Sequence, residues 1–143
     1  MSEKNLPLYT ISTASSLCGL SVHTLRMYER EGLLIPFKKS SGHRLFSEMD
    51  LERIKCIQST INVEKINIEG IRRLLALIPC WKIINCSESD RAKCEAYSGY
   101  SKPCWFVNHK NNICEGKDCS KCEVYNSFST CASIKQKLQE LLK

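Results

Sequence analysis

Two stretches carry the clearest structural pattern of the N-terminal half: TLRMYEREGLLIP at residues 24–36 and SGHRLFSEMDLERIKCIQ at residues 41–58. In the first stretch apolar residues recur at helical spacing, and Ser21, just before it, is a suitable N-cap. The pattern predicts a helix that continues to about Arg30. Gly32 is expected to end it, because glycine readily adopts the left-handed backbone conformation that closes a helix.

A shorter helix is predicted before this one. Its apolar residues lie at positions 11, 14, 17 and 18, and Ser12 is its candidate N-cap. The sequence Cys-Gly-Leu at 18–20 then interrupts the helical pattern. Two short helices joined by a tight turn that contains glycine are typical of a helix-turn-helix, whose second helix enters the major groove of DNA.

A β-hairpin is predicted immediately after the second helix. Extended apolar segments at 34–37 and 43–46 flank the basic turn Lys-Lys-Ser-Ser-Gly, an arrangement that makes a wing. Ser47 and Asp50 then have the spacing of a capping box and open a third helix. A fourth helix carries a further apolar stripe and is ended by Pro79.

The N-terminal half resembles the DNA-binding domain of MerR-type transcriptional regulators. The likeness includes the two stretches quoted above and NIEGIRRLL at 67–75, and it runs from Tyr9 to Leu77. It implies a homodimer that reads the two half-sites of a palindromic promoter operator in double-stranded DNA, where RNA polymerase also binds. It further implies that an effector switches repression to activation without necessarily releasing the protein from DNA.

The same resemblance implies which side chains contact DNA. These are the recognition-helix residues Thr24, Arg26 and Tyr28 and the wing residues Lys38, Lys39 and Arg44. Arg26 can bind a base edge or a phosphate, whereas the wing cations are expected to bind phosphates. Alternatives remain open from the residues themselves, since Tyr28 could pack on the core and the two lysines could be solvated turn residues.

The ten cysteines divide the chain unequally. Only Cys18 and Cys56 precede residue 79, and both are interpreted as small buried hydrophobic residues. The other eight are Cys80, Cys86, Cys94, Cys104, Cys114, Cys119, Cys122 and Cys131. This asymmetry predicts a DNA-binding domain at 1–78, a cysteine-rich module at 79–125 and a C-terminal helix at 126–143.

Charge and composition limit the class of protein further. The net charge of +6 is divided evenly, with 11 Lys and Arg against 8 Asp and Glu up to residue 78 and 10 against 7 after it, which permits nucleic-acid binding without requiring it. No stretch has the apolar length of a signal peptide or a membrane span, so we expect a cytoplasmic protein with no membrane partner. No catalytic constellation is evident, and we do not expect an enzyme.

The cysteine-rich module contains an internal repeat. Pro-Cys-Trp-Lys-Ile at 79–83 returns as Pro-Cys-Trp-Phe-Val at 103–107, and Cys-Glu-Ala-Tyr at 94–97 returns as Cys-Glu-Val-Tyr at 122–125. Cys86 and Cys114 each lie eight residues before the closing cysteine, so the second copy carries one four-residue insertion. The predicted ligand sets are Cys80, Cys86 and Cys94 in the first copy and Cys104, Cys114 and Cys122 in the second. The module also resembles the poorly characterised two-CW cysteine-tryptophan repeat.

A module with so few aliphatic residues needs stabilisation beyond its core, and metal coordination by thiolates would supply it. The candidate ligands are Cys80, Cys86, Cys94, Cys104, Cys114, Cys119 and Cys122, with Cys131 less certain. Scattered thiolates beside two tryptophans favour an iron-sulfur cluster, of the 4Fe-4S type. Zinc is the alternative, although only Cys119 and Cys122 have the Cys-X-X-Cys spacing, and thiol–disulfide chemistry is a third. His109 is a candidate substitute ligand, but a lone histidine is more often an exposed surface residue.

An amphipathic C-terminal helix is predicted from apolar residues that recur every three or four positions. Its inner positions include Ile134, Leu138 and Leu141. In MerR-like proteins a helix beyond the DNA-binding domain pairs antiparallel with its twin, and this segment is the candidate; alternatively it packs on its own domain. Three functions are therefore open: a regulator with a redox-responsive or metal-responsive cluster, a regulator with structural zinc and another ligand, and an electron-transfer or metal-handling protein.

Overall fold

The structure is a computed structural model that describes residues 3–99, 101–107, 109, 112–116, 118–126, 136, 139–140 and 142. The protein is mainly helical, as predicted, with a small three-stranded sheet. The chain forms two compact units, of which the first extends to Asn67 and the second begins at Ile68. The fourth predicted helix therefore lies in the second unit, with the cysteine-rich residues.

The first unit is a helical domain with a sheet of short strands. After a 3-10 turn at Glu3–Asn5, its elements are β1 (Tyr9–Thr10), α1 (Ile11–Cys18), α2 (Val22–Arg30), β2 (Phe37–Lys38), β3 (Arg44–Phe46) and α3 (Glu48–Asn62). The strands are antiparallel in the order β1-β3-β2, so β2 and β3 form the predicted wing hairpin. The sequence patterns did not reveal β1, because a strand of two residues is too short to show alternation.

Helix α1 begins two residues earlier than the candidate cap at Ser12 implied. Thr10 is the N-cap, and its hydroxyl accepts a hydrogen bond of 3.2 Å from the backbone N–H of Thr13. The prediction of Ser12 is wrong because the chain is already helical at Ile11, whereas Thr10 ends β1 in the extended conformation that an N-cap requires. Gly19, with a φ of 67°, ends α1 as predicted.

The caps of the next two helices are confirmed. The Ser21 hydroxyl accepts a hydrogen bond of 3.0 Å from the Thr24 N–H, and Gly32 follows α2 with a φ of 79°. At α3, the Asp50 N–H donates to the Ser47 hydroxyl at 3.1 Å, and the Ser47 N–H donates to the Asp50 carboxylate at 2.9 Å. These reciprocal bonds form the predicted capping box.

A closed apolar core holds the first unit together. Its most buried side chains, each with at most 1% of its surface exposed, are Ala14, Leu25, Leu33, Leu34, Phe46 and Ile54. Full burial of one aliphatic or aromatic side chain stabilises a fold by about 1.5–3 kcal/mol. One apolar position of α1 departs from the predicted pattern, since Leu17 is 52% exposed.

The two cysteines of this unit differ from each other. Cys18 is buried, as expected of a small hydrophobic residue, and burial raises the pKa of its thiol. Cys56 is only half-buried and is disulfide-bonded, so its interpretation as a simple packing residue is wrong. Sequence reasoning missed this because an isolated cysteine on a helix shows no sign of pairing.

Up to Asn126, the described part of the second unit contains one longer helix and several very short ones. Its helices are α4 (Ile68–Leu75), α5 (Cys80–Ile83), α6 (Glu88–Ala92), α7 (Glu95–Ser98) and α8 (Glu123–Asn126), with 3-10 turns at Cys104–Phe106 and Cys119–Lys121. Helix α4 ends before Pro79, as predicted. Ile78 and Val124 form the centre of a small apolar cluster, against which the last residue of α4, Leu75, packs. In the described part of the chain, no helix is long and apolar enough to cross a membrane.

Candidate functional sites: a DNA-binding surface and a cysteine cavity

Helix α2 presents a polar outer surface of the kind that a recognition helix needs. Arg26 is exposed, as are His23 and Arg30. Thr24 is half-buried. Its hydroxyl lies 2.9 Å from the hydroxyl of the N-cap Ser21, so Thr24 also takes part in hydrogen bonding at the N-terminal end of the helix. The predicted contacts Thr24 and Arg26 therefore remain accessible on α2, which is the placement that major-groove binding requires.

Tyr28 is placed differently. Only 3% of its surface is exposed, and burial raises the pKa of its phenol. An enclosed ring of this kind contributes to the core, which was the alternative that the residues had left open. Tyr28 lies on the opposite face of α2 from Arg26 because the two residues are two positions apart on a helix with 3.6 residues per turn.

Glu29 links the wing to α2. Its carboxylate accepts a hydrogen bond from Nε of Arg44 on β3, and Nζ of Lys38 on β2 lies 3.3 Å from its second oxygen. The Glu29 side chain is only 17% exposed, so water competes weakly for these contacts. The hydrogen bond to Glu29 also raises the pKa of Arg44. Two of the predicted phosphate-binding cations are thus held in place by a residue that sequence reasoning did not identify.

The wing turn keeps its basic tip exposed. Lys39 and the following turn residues are exposed, and the Lys39 N–H donates to the His43 carbonyl at 2.8 Å to close the hairpin. Gly42 occupies the turn with a φ of 88°, a conformation that favours glycine. The wing therefore carries Lys38, Lys39 and Arg44 on one short hairpin, as the hairpin pattern predicted.

All seven predicted cysteine ligands of the second unit line a single cavity. These are Cys80, Cys86, Cys94, Cys104, Cys114, Cys119 and Cys122. The cavity, which we call the cysteine cavity, has an empty volume of about 620 Å³ including its open side, and Trp81, Trp105 and His109 also line it. Thiolates and an imidazole are the donors that zinc and iron-sulfur clusters take.

The internal repeat is visible in the packing around this cavity. In the first copy (residues 79–97), the rings of Trp81 and Tyr97 meet edge to face with centroids 4.9 Å apart. In the second copy (residues 103–125), Trp105 and Tyr125 meet in the same way at 5.2 Å. In each copy, the tryptophan of the Pro-Cys-Trp segment therefore contacts the tyrosine of the Cys-Glu-X-Tyr segment. The recurrence of the words corresponds to a recurrent three-dimensional contact.

The two copies meet at equivalent cysteines. The thiols of Cys80 and Cys104, each the residue after the proline of its copy, are hydrogen-bonded to one another. Because Cys104 donates this bond, the pKa of the Cys80 thiol falls to about 7 and that of Cys104 rises far above its ordinary value. The pair therefore favours a shared proton on Cys104 and a thiolate at Cys80.

Other thiols surround this pair. The pKa of Cys86 is raised, first by burial and then by the charge of Cys80, with a smaller effect of Cys94. The pKa of Cys104 is raised first by its hydrogen bond to Cys80 and then by burial. The charges of Cys122 and Cys119 raise it further. Cys119 has no counterpart in the first copy, and the repeat alone did not place it in a ligand set, but it lines the same cavity as Cys104.

A metal would have to draw these side chains together. Within the described residues, no three His, Cys, Asp or Glu side chains already form a metal-binding group. The donor set nevertheless fits a thiophilic metal in its chemistry, because seven thiols from both copies line one cavity. Cys131 lies outside the described residues.

The predicted dimer helix lies largely outside the described residues, including Ile134, Leu138 and Leu141. Of its described positions, Gln136, Gln139 and Glu140 are helical and exposed, while Leu142 is exposed and lies in a turn. These three residues agree with a helix but do not test its role in pairing.

A helix-turn-helix followed by a two-stranded basic wing defines the first unit as a winged helix-turn-helix, a class of DNA-binding domain. Residues 9–78 match the family described as "MerR HTH family regulatory protein". The N-terminal domain therefore belongs to the MerR family, as the resemblance implied. The matched residues extend through α4, which is packed in the second unit, and stop just before Cys80.

Several relatives share this region. A "Putative heat shock protein HspR" of Streptomyces coelicolor is 38% identical over 74 residues, which are 52% of this chain and 49% of that protein. A "Probable heavy metal-dependent transcriptional regulator" of Haemophilus influenzae is 44% identical over 68 residues, 47% of this chain and 52% of that protein. The "HTH-type transcriptional regulator MlrA" of Escherichia coli is 36% identical over 72 residues, 50% of this chain and 29% of that protein. The matches thus span about half or less of each relative.

Proposed function

We propose that this protein is a MerR-type transcriptional regulator whose cysteine cavity binds a metal centre that controls its action on DNA. The observation that carries the proposal is the convergence of seven cysteines, from both repeat copies, on one cavity in a chain with a MerR-family DNA-binding domain. Relatives with matching domains are named transcriptional regulators, which supports the DNA-binding part.

For DNA, we propose a homodimer that binds a palindromic promoter operator in the cytoplasm, in the presence of RNA polymerase. The exposed Arg26 on α2 and the basic wing support this part, because a recognition helix reads bases while flanking cations bind phosphates. Sedimentation of the protein with an operator duplex would test it, since a dimer on each duplex is expected. One protomer per duplex would contradict the homodimer.

For the metal, we propose an iron-sulfur cluster of the 4Fe-4S type. Thiols at irregular spacing around the aromatic walls of Trp81 and Trp105 support this choice, because such clusters accept scattered cysteines in a partly apolar setting. Structural zinc is the second candidate. It is favoured by the position of His109 beside Cys94, since mixed sets of cysteine and histidine are usual for zinc.

A short physical connection supports the coupling of metal to DNA binding. Leu75, at the end of α4, packs on the cluster centred on Ile78 and Val124. Cys104 and Cys122 pack against the same cluster. Helix α4 belongs to the region that matches the MerR family, so a rearrangement of the thiols on metal binding would shift an element of the DNA-binding domain.

Oxygen-free purification of the full chain, followed by metal analysis and a visible spectrum, tests the metal part. A brown protein that absorbs broadly at about 400 nm and is bleached by dithionite is expected for the cluster. Colourless protein with stoichiometric zinc would favour the second candidate. Folded protein with neither iron nor zinc would contradict the proposal.

Cysteine variants test whether the two copies act together. Cys80→Ala and Cys104→Ala should each lower the bound metal, because both thiols line the cavity and are hydrogen-bonded to one another, so loss of either disturbs the site. Cys18→Ala is the matched control, since Cys18 is a buried thiol of the first unit, and it should keep full metal content. Full loading in either cavity variant would exclude a shared centre.

A further inference from the structure

We propose that His109 is a metal ligand of the cysteine cavity and that it completes the first-copy set of Cys80, Cys86 and Cys94. The inference rests on the proposed metal centre and goes beyond it, because it places an imidazole nitrogen among the thiolates. It also corrects the interpretation of His109 as an exposed surface histidine, since the residue is half-buried and lines the cavity.

The first step concerns the tautomer of the ring. Nε2 of His109 lies 2.7 Å from the carbonyl oxygen of Cys104. A carbonyl only accepts hydrogen bonds, so Nε2 must carry the proton, and Nδ1 of the neutral ring keeps its lone pair. Metal-binding histidines characteristically donate the other ring N–H to such an acceptor, which fixes both the tautomer and the ring orientation.

The second step concerns what Nδ1 faces. It lies 3.8 Å from Sγ of Cys94. Two ligand atoms on one tetrahedral zinc ion, at the usual Zn–S and Zn–N bond lengths, are roughly 3.6 Å apart. His109 and Cys94 are therefore separated by nearly the distance that a shared metal ion would require, without movement of the backbone.

A neighbouring amide also fits this arrangement. Nδ2 of Asn112 lies 3.4 Å from Nδ1 of His109, while the amide oxygen of Asn112 accepts a bond of 2.9 Å from the Cys114 N–H. The contact with Nδ1 is long for a hydrogen bond, so a metal ion would displace little. The bond to Cys114 keeps Asn112 in place beside the ring.

The third step is the ligand count. The first copy provides three cysteines, Cys80, Cys86 and Cys94, and all three line the cavity together with His109. A tetrahedral site needs a fourth donor. His109 supplies it from the second copy, where the interval between the first two cysteines of the copy is four residues longer. At the corresponding position after the first Pro-Cys-Trp word the chain has Asn85, so the histidine occurs in one copy only.

Cobalt(II) added without oxygen to metal-free full-length protein provides the test. We expect intense thiolate-to-cobalt absorption with ligand-field bands typical of mixed sulfur and nitrogen ligation. Removal of even an outer partner of a metal ligand weakens binding about 10–100-fold, so His109→Asn should weaken cobalt binding by at least about tenfold. His43→Asn, which changes a histidine of the wing, is the matched control and should bind as the wild type does.

A second variant keeps the test valid if His109→Asn fails to fold. In His109→Cys, sulfur replaces nitrogen, so tight binding should persist and the ligand-field bands should move to longer wavelength. If the protein instead holds iron, pulsed electron paramagnetic resonance of the reduced wild-type cluster should show a nitrogen coupling that changes on labelling histidine with ¹⁵N. This measurement needs no variant.

The outcomes separate the two proposals. Metal binding with an unchanged spectrum in His109→Asn and His109→Cys, or a cluster without histidine nitrogen coupling, would overturn the role of His109 and leave the metal centre standing. Absence of binding of cobalt, iron and zinc by wild-type protein would overturn the metal centre and the ligand role together.

Discussion

The first unit encloses side chains such as Phe46 and Leu25 at 1% exposure, whereas the centre of the second unit is the pair Ile78 and Val124, at 4% and 1%, beside a cavity lined by thiols. The helices differ in the same direction. Helix α3 has 15 residues, while α5, α7 and α8 have four each. A helix of four residues has almost no stability of its own. The first unit therefore has an extensive apolar core, and we propose that the second, with fewer enclosed side chains, depends on metal bound by its cysteines.

Metal removal should have the largest effect of the changes proposed here, and it should be confined to the second unit. Both tryptophans, Trp81 and Trp105, lie in the second unit, so tryptophan fluorescence reports on that unit alone. Chelation without oxygen should shift the emission toward that of the denatured chain, because structural metal can contribute about 10 kcal/mol or more of folding free energy. The helical circular dichroism of the first unit should persist with its own thermal transition. An unaltered emission after complete metal removal would show that the second unit does not depend on metal.

Truncation of the apolar core should affect the other unit. Phe46→Ala removes a side chain that is 1% exposed and should cost about 3–5 kcal/mol, a large part of the stability of a small domain. Thermal melting followed by circular dichroism should show the loss. Bound metal and tryptophan emission should stay at wild-type values. Val124→Ala is the counterpart in the second unit. Loss of metal in Phe46→Ala but not in Val124→Ala would contradict the proposal that the apolar core stabilises the first unit and the metal stabilises the second.

Loss of one wing cation should have a smaller effect and should be confined to DNA binding. Arg44→Ala should weaken operator binding and lower the slope of log affinity against log salt by about one, because one phosphate contact releases about one counterion. Fluorescence anisotropy at several salt concentrations measures this slope. Arg73→Ala, which removes an exposed arginine paired with Glu69, should leave the slope unchanged. An unchanged slope in Arg44→Ala would remove Arg44 from the phosphate contacts.

Two matched helix caps provide the finest comparison. Ser47 and Ser87 form capping boxes of the same Ser-X-X-Asp type at α3 and α6. Ser47→Ala should lower the unfolding free energy by about 1 kcal/mol, because Ser47 is buried at 6% exposure and starts a long helix. Ser87 is exposed and starts a helix of five residues, so Ser87→Ala should have less effect on the metal-bound protein. Equal losses in denaturant melts would indicate that α6 is as important to its unit as α3 is to the other.

The elements of the first unit were largely readable from local patterns. Capping at Ser21 and Ser47 and helix termination at Gly19 depend on residues no more than five positions apart, and those predictions are confirmed. The wing hairpin was found for the same reason. Errors occurred where two local choices compete, as between Thr10 and Ser12, or where an element is too short for a pattern, as in β1.

The residues of the candidate sites could likewise be predicted only in part. The sequence identified the cysteines that line the cavity, because the Pro-Cys-Trp and Cys-Glu-X-Tyr segments each occur twice with matching cysteine spacing, which is visible without a structure. It did not reveal the role of Glu29, whose partner Arg44 lies 15 residues away on another element. It offered His109 as a substitute ligand but did not place it beside Cys94, because 15 residues separate the two and nothing local relates them.

The amino-acid sequence alone therefore specified the winged helix-turn-helix, the caps at Ser21 and Ser47 and the two copies of the cysteine module, because these depend on interactions over a few residues or on direct repetition. The pairing of Cys80 with Cys104, the contact of Glu29 with the wing and the position of His109 arise only when the chain folds back on itself. Such contacts join residues whose separation along the chain carries no signal, and their geometry depends on how whole elements pack.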